Sequence, residues 1–123
     1  MNLAAARTVL FAAGFALWAL TSLSLFAEGI REGWDQAVYW QAGLPLVTAV
    51  QVLVALVSSE SVMRAPLWTI LGHVVAMVLI HSPGTGLGLL PLAIVFMGLP
   101  IYGVLLFGAF IGRMVRRLTG LAS

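Results

Sequence analysis

Few side chains in this sequence suit chemistry, and those that do lie inside long apolar stretches. The most polar of them are Gln51 and His73, with Thr48 and Thr69 each about one helical turn away from one of them. Polar side chains in such surroundings are costly, and they mark hydrogen bonds between helices, ligand contacts or solute pathways. We expect Gln51 and His73 to hydrogen-bond across two neighbouring helices. A quinone or substrate contact at His73 stays open as an alternative.

A second pattern concerns haem, whose iron accepts histidine and methionine ligands. His73, Met77 and His81 recur every four residues and share one side of a helix. His73 and His81 are therefore candidate haem b ligands, although only His73 falls at mid-depth, and bis-histidine ligation would need a second chain. The chain has no cysteine, which excludes thiolate metal sites and iron–sulfur clusters, and we expect no other metal site. We also expect no catalytic residue, because no nucleophile, base and oxyanion site converge.

The surroundings of these residues indicate the class of protein. Of the 123 residues, 62% are hydrophobic and 8% are charged, and the mean hydropathy is +1.10, whereas soluble domains are about 25% charged. Four apolar stretches have the roughly 20 residues that an α-helix needs to cross a bilayer. They predict an all-α integral membrane protein, a single domain over residues 1–123 with four transmembrane helices in an up-down bundle. The predicted spans are residues 8–27, 38–57, 63–82 and 89–113.

Arginine positions predict the orientation of these spans. Four spans place both termini, and the loop between the second and third spans, on one side. That side carries most of the basic residues, namely Arg7, Arg64, Arg113, Arg116 and Arg117. Because positive residues stay on the cytoplasmic side, we expect both termini in the cytoplasm and these arginines near anionic lipid. The chain has arginine but no lysine, which is compatible with a GC-rich bacterial genome, and we expect a bacterial inner-membrane protein. A net charge of +2 is too small to predict nucleic-acid binding.

Residues 28–41, between the first two spans, are predicted to form a short amphipathic helix on the outer membrane interface. Apolar side chains fall on one face of this segment, and most of its charged side chains fall on the other. Trp34, Tyr39 and Trp40 suit the headgroup region, where an aromatic ring is buried and its polar atom stays hydrated. These residues either set the depth of the helices or provide a docking face for a partner.

Small residues predict close helix packing in the fourth span. Gly108 and Gly112 form a G-x-x-x-G pair, which lets two helix backbones approach where water gives no hydrophobic drive. This pair serves either packing within the bundle or contact with another chain. Pro100, between Gly98 and Gly103, is expected to kink the same helix.

The function predicted from these features is structural. No Asp or Glu falls inside a predicted span, and the arginines within the spans lie at their ends, so transport coupled through a buried carboxylate has no support. Four packed helices also leave no lumen. We expect a non-catalytic inner-membrane subunit that braces or helps assemble a larger complex, with the bilayer and other subunits or copies of itself as partners.

Two other functions stay open from the sequence. One is a homo-oligomeric channel or transporter for a small neutral or apolar solute, with its path lined by Gln51, His73, Thr48 and Thr69. The other is a haem- or quinone-binding membrane anchor that uses His73 or His81. Solute flux separates the first from a bracing subunit, and optical absorption separates the second.

Overall fold

The computed structural model describes residues 1–22, 37, 39–80 and 90–120 of the chain. Within these ranges all regular structure is helical, which confirms the all-α prediction. A π-helical turn, Tyr39–Gly43, leads into the second α-helix without a break. The α-helices are α1 (Leu3–Ser22), α2 (Leu44–Val57), α3 (Ala65–Leu79) and α4 (Leu90–Leu118).

Three helical segments are long and apolar enough to cross a membrane, namely Leu3–Ser22, Tyr39–Val57 and Ile94–Leu118. α3 is also apolar but has 15 residues. That is about 22 Å at 1.5 Å per residue, against a hydrocarbon core of about 30 Å. The third predicted span, residues 63–82, is therefore helical over a shorter range, and its last two residues lie outside the described part of the chain.

The helix limits differ from the predicted spans mainly at the arginines. α1 begins at Leu3, before Arg7, and α4 continues past Arg113 to Leu118. These charges do not end the helices, because both arginines bond to the segment between α2 and α3. Most of the predicted amphipathic helix, residues 28–36 and 38, lies outside the described ranges.

The closest packing joins helices that are not consecutive in the sequence. α1 packs along α3, and α2 packs along α4, whereas α2 and α3 touch only slightly. Near the start of α1 the guanidinium of Arg7 lies 5.2 Å from the ring centre of Trp68. Near its end the indole N–H of Trp18 donates to the carbonyl of Ile80 at 2.7 Å. α1 and α3 therefore run in the same direction.

The second pair, α2 and α4, is also parallel. A Cβ atom added at Gly108 would meet Thr48, and one added at Gly112 would overlap the carbonyl of Val52. The predicted G-x-x-x-G pair thus lies on α4 against α2. The amino terminus donates to the carbonyl of Val57 at 3.1 Å, so α2 ends beside the start of α1. The two parallel pairs run in opposite directions.

Glycines also bring the backbones of α1 and α3 together. A Cβ atom added at Gly14 would overlap the carbonyl of Thr69, and one added at Gly72 would overlap the carbonyl of Phe11. Neither glycine was predicted as a packing residue. The signal was present at Gly72, since Gly72 and Ala76 have the four-residue spacing of small residues that lets helices approach.

Apolar side chains fill the inside of the bundle and also cover its outside. One buried cluster includes Leu105, and another includes Leu10. On the outer surface Leu20 is 74% exposed, Phe96 is 68% exposed and Phe107 is 64% exposed. Soluble monomers rarely leave large contiguous apolar patches open to water.

The substitution Gly14→Ala tests the α1–α3 crossing. The new methyl group would overlap backbone, not a flexible side chain. The helices must therefore separate, and we expect the free energy of unfolding to fall by about 1–3 kcal/mol. Gly98→Ala is the matched control, because no atom lies within 4 Å of an added Cβ there, and it should be neutral or slightly stabilising. Unfolding in detergent measures the free energy of unfolding of both variants. Equal changes in the two would contradict the close contact of α1 and α3 at Gly14.

Candidate functional site

Five side chains with polar groups come together inside the bundle, and we call them the interior polar cluster. α1, the π-helical turn and α2 contribute one each, and α3 contributes two. All are buried, and the most open of them, His73, is 6% exposed. The members are Trp18, Tyr39, Gln51, Thr69 and His73.

The imidazole of His73 is held between aromatic neighbours. Its Nε2 atom lies 2.9 Å from the hydroxyl oxygen of Tyr39, at hydrogen-bond distance. Its ring lies edge-to-face with the ring of Trp18 at 5.3 Å and with that of Tyr39 at 5.9 Å. The π-helical turn places Tyr39 here, with its side chain toward α3. A ligand that binds Nε2 of His73 would have to displace the Tyr39 hydroxyl.

Gln51 is bonded to Thr69 and not to His73. Its Nε2 atom donates to the hydroxyl oxygen of Thr69, while its Oε1 atom is buried without a hydrogen-bond partner. The predicted bond between Gln51 and His73 is therefore replaced by two others. The reason is that Thr69 meets the Gln51 amide, while Tyr39 occupies Nε2 of His73.

Thr48, the fourth predicted polar residue, lies at the contact between α2 and α4. Its hydroxyl donates to the carbonyl of Leu44 on its own helix at 2.8 Å, and its methyl group faces Gly108. The four predicted polar residues thus make three separate sets of contacts. Gln51 bonds to Thr69, His73 pairs with Tyr39, and Thr48 packs at the contact between α2 and α4.

A small cleft beside His73 opens between α3 and α4. Its volume is about 20 Å³, enough for one water molecule and far below the roughly 300–1,000 Å³ of small-molecule pockets. A haem or a quinone ring is larger than this cleft. The side chains that surround it with His73 are apolar, and Gly98 lies among them; they are Ile70, Val74, Met77, Ile94 and Ile101.

The donors for a metal are also sparse. In the part of the chain that the structure describes, no group of three or more His, Cys, Asp or Glu side chains could hold a metal ion. His73 is one of the two candidate haem ligands, and the other, His81, lies outside the described residues. Among the described residues, the one candidate haem ligand is therefore the imidazole of His73, and its Nε2 atom is already paired with Tyr39.

A second group of polar residues surrounds the segment of residues 58–64 between α2 and α3, and we call this region the arginine end. Glu60 is 3% exposed, and its Oε2 atom accepts a charge-assisted hydrogen bond from Nε of Arg7 at 2.5 Å. Its Oε1 atom accepts the backbone N–H of Ser61 at 2.9 Å. Arg7 also lies over the ring of Trp68. One carboxylate thus ties α1 to the segment that precedes α3.

Two arginines of α4 bind the same segment from the other side. Arg113 donates to the carbonyl of Glu60, and Arg116 donates to the carbonyl of Ser58. From the same helix the hydroxyl of Tyr102 donates to the carbonyl of Met63 at 2.9 Å. Residues 58–64 are therefore held by α1 and by α4.

The surroundings of Glu60 favour its charged form. Burial by itself raises the pKa of Glu60. The hydrogen bonds from Arg7 and Ser61 and the charges of Arg7 and Arg64 act in the opposite direction and outweigh it. The pKa therefore lies below its usual value of 4.5, and the carboxylate stays ionised at neutral pH.

The aromatic residues predicted at the outer interface differ in their exposure. Trp40 is 40% exposed, and Trp34 lies outside the described residues. Tyr39 is fully buried, which corrects its assignment to an interfacial or docking surface. The physical reason is that its hydroxyl pairs with His73 inside the bundle.

Trp18 and Glu60 were not predicted as site residues. For Glu60 a signal was available, because it is the single acid on the predicted side that carries five arginines. A buried carboxylate there is the natural partner for one of them. For Trp18 no spacing or charge in the sequence separates it from other apolar residues of its span.

No protein-family model, curated protein or solved structure matches this chain. Its function is therefore inferred from the interior polar cluster and the arginine end.

The substitution Glu60→Gln tests the ion pair at the arginine end. It leaves Arg7 without an anionic partner, and since Arg7 is 35% exposed and partly screened by water, we expect a loss of about 1–2 kcal/mol at neutral pH. The pKa of Glu60 is lower in the folded chain than in the unfolded one. The stabilisation is therefore complete above about pH 4.5 and is lost as the pH falls through the folded pKa.

The free energy of unfolding of the native protein should accordingly fall as the pH drops below about 4.5. The Glu60→Gln variant should lack that part of the pH dependence. Arg64→Gln is the comparison variant, because the exposed Arg64 guanidinium acts on Glu60 through its charge without a direct bond, and it should keep most of this pH dependence. If the free energy of unfolding depends on pH in the same way in the native protein and in Glu60→Gln, the ion pair between Arg7 and Glu60 is contradicted.

The substitution Thr69→Val tests the interior bond. It leaves the whole buried amide of Gln51 without a partner, and we expect the free energy of unfolding to fall by about 1–2 kcal/mol. Gln51→Met removes both the bond and the unpaired Oε1 atom at similar volume, and it should cost less. Denaturant unfolding of the two variants shows which of them loses more free energy of unfolding. A larger loss for Gln51→Met would show that the amide has a further stabilising partner.

Proposed function

We propose that this protein is a non-catalytic subunit of the bacterial inner membrane that braces or helps assemble a larger membrane complex. The observation that carries the proposal is the use of its polar groups. In the interior polar cluster and at the arginine end, most bonds made by side chains join one helix to another or to a connecting segment. Polar groups that hold helices together suit a protein whose role is to present a stable surface to others.

In this proposal the four helices cross the membrane as an up-down bundle. Support comes from three segments of sufficient length and apolar character and from the large apolar side chains on the outer surface, which lipid would cover. The described α3 is shorter than a hydrocarbon core. Bilayers accommodate such a helix by local thinning or through association with neighbours.

We further propose that both termini lie in the cytoplasm. The start of α1, the segment of residues 58–64 and the end of α4 are bonded to one another at the arginine end. This gathers five arginines at one end of the bundle. The preference of arginine for the cytoplasmic side supports this orientation.

Native mass spectrometry tests the proposed function. The protein is tagged at its C-terminus and extracted under mild conditions from its own membranes. We expect an assembly with other proteins in fixed stoichiometry, because a bracing subunit is found with what it braces. A membrane protein of similar size, with the same tag and at the same level, shows which proteins co-purify without specificity. A monomer or a homo-oligomer as the sole species would contradict the proposal.

A homo-oligomeric channel or transporter for a small neutral or apolar solute is the second candidate, and one observation favours it. Oε1 of Gln51 is buried without a partner, so the interior holds an unused acceptor beside Thr69. Solute flux into liposomes that contain this protein alone separates the two candidates. A haem- or quinone-binding anchor has less support, because Tyr39 engages Nε2 of His73 and the adjoining cleft is small.

A further inference from the structure

Two arginines at the arginine end take no part in the bonds between helices. The other three arginines of this end all donate to the segment of residues 58–64. The side chains of Arg64 and Arg117 are exposed. Within the described ranges their guanidinium groups make no hydrogen bond or ion pair. These two cations are available to a partner.

Positive charge at this end is not balanced. Among the residues that the structure describes there, Glu60 is the single acid, against five arginines and the amino terminus. The charge of Arg64 acts on Glu60, and the charge of Arg117 acts on Arg113. Arg113 in turn donates to the carbonyl of Glu60. Arg64 and Arg117 therefore belong to one region of excess positive charge.

Exposed apolar side chains adjoin both free arginines. Met63 precedes Arg64 and is 59% exposed, and Leu118 follows Arg117 and is 81% exposed. Met114, about one turn earlier on α4, is 45% exposed. A phospholipid matches this combination, because it presents a charged phosphate directly above apolar chains. A soluble anion would match the arginines alone.

We propose that Arg64 and Arg117 bind the phosphate groups of anionic glycerophospholipids at this end, and that Met63, Met114 and Leu118 contact the upper part of the acyl chains. The proposal rests on the proposed membrane insertion, which puts the arginine end at headgroup depth. Guanidinium groups pair with phosphate through two parallel hydrogen bonds. The lipid neutralises this end of the protein and leaves the bonds of the other three arginines in place.

Lipid retention by the full chain in detergent tests the proposal. Phosphatidylglycerol and phosphatidylcholine are added at equal concentration, and native mass spectrometry measures how much of each stays bound. We expect the native protein to prefer phosphatidylglycerol, and Arg64→Gln and Arg117→Gln each to weaken its retention about fivefold. Arg31→Gln is the matched control, because it removes the same charge from the predicted opposite side, and it should leave retention unchanged.

Melting temperatures without lipid should change little in the Arg64 and Arg117 variants, since these arginines act on Glu60 and Arg113 through charge alone and neither guanidinium joins helices in the described structure. Equal retention of the two lipids, or an equal loss in the Arg31→Gln control, would overturn the proposal. Displacement of the lipid by inorganic phosphate would overturn it too, in favour of a soluble anion. Release of the protein from membranes by alkaline carbonate would contradict membrane insertion itself. A carbonate-resistant protein with no lipid preference would overturn the lipid site alone.

Discussion

The contact on which the rest of the bundle depends is the one between two helix backbones, where Gly14 of α1 meets a carbonyl of α3. Because no side chain separates the helices there, Trp18 lies against His73 on one side of the crossing, and Arg7 reaches Glu60 on the other. The crossing thus brings α1 into both the interior polar cluster and the arginine end. A wider separation of α1 and α3 would move Trp18 away from His73 and Arg7 away from Glu60.

Polar bonds supply what apolar contacts between helices lack, which is a fixed register. Apolar attraction is non-directional, whereas a hydrogen bond between two helices forms only where its donor and acceptor meet. The bond between Gln51 and Thr69 does this for α2 and α3, which otherwise touch only slightly. The arginine end does the same for the segment that joins these two helices.

The class of structure could be predicted because long apolar runs with few charges have one regular solution, the helix. The pairing of helices could not, because spacing identifies a surface that packs but not the helix it meets. Gly72 and Gly108 show this, since each begins a four-residue repeat of small residues and each meets a different helix. Aromatic character alone predicted an interfacial position for Tyr39, whereas Tyr39 lies in a π-helical turn and is buried with its hydroxyl beside His73.

The parallel pairing also affects the order in which the chain can fold while it is being made. α1 packs chiefly along α3 and α2 along α4, so a ribosome that has made only the first two helices has completed neither contact. Arg7 has no carboxylate partner until Glu60, 53 residues later, has been added. Contacts between segments so far apart in sequence form slowly. The nascent hairpin therefore stays open to other partners until α4 is finished.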